Sequence, residues 1–313
     1  MVSSDQVNQQ LILGREPQST VSFSNINGGS FVTPQWKDKS GGDWGSSVDP
    51  DNKNRGLDSK LSYTFHANGE FEGVVMVATY TDLHNSYYTD ANGVKHHITK
   101  IVRTFSNLKK SDGQLIKWIE ANPETPASVV NNYNPSLVIY SDPTDGFWYT
   151  FANSIQVSDK YYDENGNEIL FDNNSAFLAI TSLNNEFPKS LTNQSTEINN
   201  RHIESVTVNN GKALALAGSS ITVHGKSLYS SYNNSEGQGL NDAGSWDSRS
   251  SKNQYYGTGL VELDGDGDDL TFYTQRNDDA TPSVWVTMTT IIPQTPTPRA
   301  IVSYHHDVTH AKK

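Results

Sequence analysis

The sequence predicts an all-β protein: a large β-sandwich with a few short helices and long loops. Short apolar or alternating runs recur along most of the chain, separated by turns rich in Gly, Asn and Asp, as in sandwiches and barrels. Helix signals are few. Apolar residues reach only 34% and mean hydropathy is −0.61, yet Phe, Tyr and Trp make up 10%. That is too aromatic for a disordered chain and suits strands that carry Thr, Ser and Tyr outward. A length of 313 residues permits two domains, but a sandwich of this size can be one.

Residues 1–58 are rich in Gly, Asn, Asp and Ser and read as a loop-dominated lead-in that lays one or two strands on the body, one of them around Val21–Phe23. Ser62–His66 alternates, with Tyr63 and Phe65 on one face. Gly73–Tyr80 is nearly all apolar, as expected of a strand covered on both faces. Further strands are expected at about 98–105, 136–141, 147–157, 203–208, 213–217, 256–263, 270–275 and 283–291. Asp112–Ile119 and Pro126–Tyr133 read as short helices between strands. Asn165-Gly166 marks a hairpin, since both residues tolerate the positive φ of a tight turn, and Ile169–Phe171 and Ala176–Ile180 follow as strand-like runs, the second a buried strand. Residues 1–292 thus form one domain. From Pro293, the Pro-Gln-Thr-Pro-Thr-Pro run favours an extended linker, and Val302–His306 reads as the start of a further stalk domain.

Composition also excludes. With no Cys there is no disulfide framework and no thiolate zinc site. No apolar run approaches the ~20 residues that span a bilayer. Met1–Asp5 lacks the basic and apolar regions of a signal peptide. There is no Gly-x-Ser-x-Gly elbow, phosphate-binding loop, His-Glu-x-x-His or dinucleotide fingerprint, so an enzyme has no support.

The segment Tyr161–Asn185, YYDENGNEILFDNNSAFLAITSLNN, resembles the YDENG…FDN…SLN core of the glucan-binding protein C and antigen I/II variable-region family. Other motifs of that family follow in order. Tyr80–Ser86 (YTDLHNS) resembles YTNLKNS, and Ile98–Phe105 (ITKIVRTF) resembles ISKVVYTY. Ala217–Ser220 matches a GSS segment, Gly244–Gly259 resembles GWDSSDAPNSWYGAG, and Ser283–Ile291 resembles the terminal NIWYSL strand. The likeness covers roughly residues 60–292, with one departure: the family's Ser-Trp-Tyr-Gly is here Gln254-Tyr255-Tyr256-Gly257. The resemblance implies a lectin-like supersandwich, a non-enzymatic, monomeric adhesin head belonging to a longer extracellular protein anchored to a Gram-positive cell wall. Within the family it points to heads that aggregate cells in biofilms and conjugation by binding polyanions, namely lipoteichoic acid and extracellular DNA without sequence preference. The alternative is a lectin for glucan or a host glycoprotein, against which the missing Trp counts.

Net charge is −12, which repels polyanions overall. Residues 91–111 nevertheless hold Lys95, His96, His97, Lys100, Arg103, Lys109 and Lys110 with no Asp or Glu, and Arg201 and Lys212 are further basic candidates. Two readings stand side by side: a local polyanion site, or a solvated strand pair guarded by Lys. Trp246, in a Gly/Ser/Asp loop, is the exposed stacking candidate, with Tyr255 and Tyr256 beside it; the competing reading plugs Trp246 into the sandwich edge. Asp264, Asp266 and Asp268 alternate as calcium-loop ligands do, but the EF-hand pattern fails at Asp269 and Gln275, and a plain hairpin competes. The family implies a hard structural cation, Ca²⁺ or Mg²⁺, for which Asp163, Asp172, Asn173 and Asp247 are oxygen-rich candidates.

Overall fold

A computed structural model describes residues 1–31, 59, 61–110, 134–150, 152–186, 202–231, 234, 246–247, 251–275 and 283–295. Their strands are β1 (Leu11–Ile12), β2 (Thr20–Ser24), β3 (Gly29–Phe31), β4 (Ser62–Ala67), β5 (Phe71–Thr81), β6 (Tyr87–Thr89), β7 (Lys95–Lys110), β8 (Ser136–Tyr140), β9 (Phe147–Thr150) and β10 (Ala152–Asp163). They continue with β11 (Phe177–Thr181), β12 (Asn185–Glu186), β13 (His202–Asn210), β14 (Lys212–Ala215), β15 (Ile221–His224), β16 (Ser227–Ser230), β17 (Gly259–Glu262), β18 (Asp268–Gln275) and β19 (Ser283–Thr289).

The strands form two antiparallel sheets. The larger has eleven strands in the order β1-β6-β7-β10-β18-β13-β16-β15, with β5 also on β7, β2 on β5 and β12 on β13. The smaller has eight, in the order β14-β17-β11-β19-β9-β8-β4-β3. Because β7 is 16 residues long, it pairs β6 through its first three residues and β5 through its second half, and β10 runs along its other side. The sheets face each other across one core. Phe147 of β9 meets Phe105 of β7 edge-on at 5.4 Å and Phe272 of β18 at 5.2 Å, which joins the two layers at the centre.

The sheets differ on their outer faces. In β10 the inward residues Ile155, Val157, Asp159 and Tyr161 are buried, and their alternating neighbours Gln156, Ser158 and Lys160 reach solvent. In the smaller sheet β8 and β11 are buried at all five positions, so its outer face is covered too. Val2, Val7, Ile292 and the turn at Gln254–Gly257 pack over Ala179 and Leu260, and Trp148 stacks on Trp285 at 6.4 Å. Among the described residues, the open face is that of the larger sheet.

Buried carboxylates clasp the loops. Glu16, 1% exposed, accepts the N–H groups of His84 and Asn85 and the Ser86 hydroxyl, at 2.7–2.9 Å. Asp142 accepts the Glu16 and Thr144 N–H groups, and Asp145 accepts the Ser59 N–H. Each acid offsets its own desolvation by collecting several donors. Gly146 follows at φ +75, where any Cβ would overlap the Val286 carbonyl.

Most strand expectations match, with corrections. The lead-in supplies three short strands, β1 to β3, rather than one or two. Ile169–Phe171 is no strand: Glu168 and Phe171 make only isolated bridges, to Tyr162 and Gly265. The stretch from Gln254 starts as a 3-10 turn, and its strand begins at Gly259. The β15–β16 hairpin, closed at Gly225, had not been expected. The helices expected at Asp112–Ile119 and Pro126–Tyr133, and the residues from 296 onward, lie outside the described residues.

Candidate binding surfaces

Folding disperses the basic island. Lys100 and Lys109 lie nine residues apart on one strand, roughly 30 Å at ~3.3 Å per residue, several Debye lengths at physiological salt. Paired elements bring acids to it. Asp90 binds the His96 ring at 3.0 Å, and Glu164 accepts the His97 N–H. Glu70 and Glu72 share the surroundings of Lys109. Lys95 lies over the Tyr87 ring and Lys100 over Tyr162, at 3.6 and 4.1 Å. Lys212 is exposed on β14, in the other sheet. Arg201 and the side chain of Lys110 lie outside the described residues.

Arg103 leaves the basic set altogether. It faces inward with Ile101 and Phe105, is 2% exposed, and forms a two-pronged ion pair with Asp159 at 2.8 and 2.7 Å. A third N–H reaches the Pro143 carbonyl. Beside the pair, Asp268 accepts the Asp159 N–H and the Tyr161 hydroxyl. Burial, and then the Asp159 charge, push Asp268 well above the usual carboxylate range. Burial opposes the charge on Arg103, but Asp159 outweighs it and raises the guanidinium pKa. Burial likewise pushes the Tyr80 hydroxyl up to about 12. This is an internal structural network, with no face toward a ligand.

The aromatic and metal candidates are also relocated. Trp246 is 3% exposed and Tyr255 5%, which removes both from a stacking surface. Trp246 packs so closely on Gly257 that a Cβ there would overlap its ring, so it plugs the edge. Tyr256, half-buried, tilts against Tyr255. The acidic loop does not fit a cation: Asp266 pairs with Lys160 at 3.0 Å, whereas Asp268 turns into the core. Asp163 and Asp172 line a hollow of about 330 Å³ with Asp90, His96 and Glu168. Their carboxylates already accept donors, Asp163 from the Asn165 and Asn167 N–H groups and Asp172 from the Tyr88 hydroxyl. Asn173 is exposed and Asp247 half-buried. Among the described residues no three His, Asp or Glu side chains gather where one ion would bind them.

Two adjacent rows on the open face of the larger sheet are polar and hold no Lys, Arg, Asp or Glu, while Lys160 and Asp269 lie elsewhere on the same face. Strand register puts Ser154, Tyr273, Ser205, Tyr229 and Thr222 in one row across β10, β18, β13, β16 and β15. Gln156, Thr271, Thr207, Ser227 and His224 form the next row. Tyr273 is 37% exposed, and Tyr229 stacks on His224 at 4.1 Å. Side-chain amides are fixed in a chain: Asn107 donates to Gln156 at 2.6 Å, Gln156 to Asp269 Oδ1 at 2.7 Å, and Asn209 to the same oxygen at 3.0 Å. Bulges in β5 and β10, with Asn107 at φ +52, open a trough of about 520 Å³ bordered by Asn107, Lys109, Ser154, Gln156 and Thr271. The signal for this face was the alternation of Asp269, Thr271 and Tyr273 with Leu270 and Phe272.

Fold and surface together define a two-sheet β-sandwich with a polar outer face on its larger sheet. The family model for glucan-binding protein C matches residues 1–289, and the chain belongs to that family. Its fold is similar to that of the glucan-binding protein C of Streptococcus mutans, a mediator of sucrose-independent and sucrose-dependent adherence (20% identity, TM-score 0.62, 92% of this chain and 78% of that one). It is also similar to the adhesin domain of PrgB from Enterococcus faecalis solved bound to DNA (18%, 0.61, 92% and 97%) and to that domain solved separately (19%, 0.61, 91% and 90%).

Proposed function

We propose that this chain is the ligand-binding head of an adhesin on a Gram-positive cell surface, and that its ligand is a neutral polysaccharide of the glucan class. The observation that carries the reading is the open face of the larger sheet, where two adjacent rows of hydroxyls, amides and tyrosines are in register and hold no Lys or Arg. Lys109 lies at the trough, and Lys160, paired with Glu168 and Asp266, lies beyond the other side. Hydroxyl-bearing polymers match such a surface by hydrogen bonding and ring contact, and phosphate polymers do not. The family's description, a glucan-binding protein, supports the same chemistry.

A second reading has its own support in the likeness to a domain solved with DNA. In it the head holds lipoteichoic acid or extracellular DNA through Lys95, His97, Lys100, Lys109, Lys110, Arg201 and Lys212, aggregating cells in biofilms and conjugation as an enterococcal aggregation substance would. With a net charge of −12, one head would hold a polyanion weakly, and many heads on a cell would supply avidity. Retention on cross-linked dextran beside a gel shift with duplex DNA separates the readings. The first expects retention without a shift; a shift without retention transfers the assignment to the second.

A further inference from the structure

We propose that the glycan site is the open face of the larger sheet itself, with a linear neutral oligosaccharide lying across the strands over Tyr273 and Tyr229 and one end seated in the adjoining trough. The proposal rests on the neutral-polysaccharide reading and gives it a place.

The row register sets the path. Tyr273 and Tyr229 both pair with Ser205, one from each side, so they lie two strands apart, ~9–10 Å at the usual strand spacing. A chain crossing the strands meets an aromatic ring, a hydroxyl and a second aromatic ring in turn. Pyranose rings carry C–H groups on their faces and hydroxyls around their edges, so they combine ring contact with hydrogen bonding.

The amide chain sets the polar anchor. Asn107, Gln156 and Asn209 hold one another in fixed orientations before any ligand arrives, so little side-chain freedom is lost on binding. Both amide donors converge on Oδ1 of Asp269, and Oδ2 carries no hydrogen bond among the described residues. A carboxylate oxygen held in this way accepts sugar hydroxyls strongly and repels phosphate. The paired bulges and the left-handed Asn107 are local departures from regular sheet, and they are what open the trough on this face.

The test is titration of the full chain with linear gluco-oligosaccharides of different linkage: isomaltoheptaose, maltoheptaose, cellohexaose and laminarihexaose. Wild type binds at least one. Asp269→Asn weakens that binding by about tenfold or more, as expected for a hydrogen bond to a charged acceptor. Tyr273→Ala weakens it ~2- to 10-fold and Tyr273→Phe restores it, since the ring and not the hydroxyl is the platform. Lys252→Glu, exposed beside the Gln254–Gly257 turn over the smaller sheet and remote from the face, changes nothing. Binding that is unaltered in both the Asp269 and Tyr273 variants overturns the location and leaves the polysaccharide reading intact. If wild type binds none of the four while it shifts duplex DNA, the reading and the location fall together.

Discussion

Removing Arg103 should destabilise the fold far more than removing any lysine of the same strand. Its guanidinium is 2% exposed and Asp159 is 1% exposed, and two hydrogen bonds of 2.8 and 2.7 Å join them. Arg103→Met leaves Asp159 charged in the core beside Asp268, with its compensating partner gone. Breaking one side of such a pair costs roughly 3–5 kcal/mol. Asp159→Leu strands the guanidinium and costs a similar amount. The double variant, an apolar pair, should recover most of the loss and fall within about 2 kcal/mol of wild type, because the desolvation cost of both charges is removed with their attraction. Lys95→Glu, at an exposed position, should move stability by less than ~0.5 kcal/mol. Urea unfolding of wild type and the four variants measures all of this. The reasoning is refuted if Arg103→Met unfolds within ~0.5 kcal/mol of wild type, or if the double variant loses the sum of the two single changes.

The raised pKa of Asp268 has a definite sign. Its folded value lies above its unfolded one, so its contribution to stability is complete below about pH 4 and is lost as pH rises through the folded pKa. Asp268→Asn, neutral and able to accept the Asp159 N–H at its amide oxygen while its amide nitrogen donates to the Tyr161 hydroxyl, should therefore be more stable than wild type at alkaline pH and show a smaller decline in melting temperature with rising pH. An unchanged pH profile would count against a raised Asp268 pKa. Gly146→Ala should lower the melting temperature sharply, because no side chain fits against the Val286 carbonyl at φ +75; a neutral result would mean that the turn is placed differently. Wild type should melt identically with EDTA and with added Ca²⁺, and so should Asp264→Asn with Asp266→Asn, as the loop is a crossover between the two sheets tied to Lys160 rather than a hairpin; a calcium shift in wild type that the double variant abolishes would restore a metal loop.

The fold was legible because periodicity reports burial. The Gly73–Tyr80 run lies in β5 and the Asn165-Gly166 turn forms as expected. Yet β5 is not covered on both faces: Val75, Ala78 and Tyr80 are buried while Val74 is exposed and Val77 and Thr79 are partly exposed, because its outer side belongs to the open face of the larger sheet. Arg103 was misread although the same periodicity held its position: two-residue alternation places it with Ile101 and Phe105, facing the core. What hid it was the run of basic neighbours, which drew attention to charge and away from parity. The clasps made by Glu16 and Asp142 had no local signature, because their partners lie dozens of residues away in sequence. Trp246 carried a similar ambiguity, which the close approach of Gly257 resolves. The island's lack of acids was a fact about the chain only, since strand pairing and turns bring Asp90, Glu164 and Glu70 to its sides.

The salt dependence of binding tests the central claim most directly. The full chain would be run through native gels containing either dextran or duplex DNA fragments, at salt from about 50 to 300 mM, where phosphate contacts lose affinity with a log–log slope of about −0.9 for each phosphate neutralised. Neutral-polysaccharide binding through the open sheet face predicts retardation by dextran that hardly changes with salt, and little or none by DNA. Steeply salt-dependent retardation by DNA, with free migration through dextran at every salt, would contradict the account.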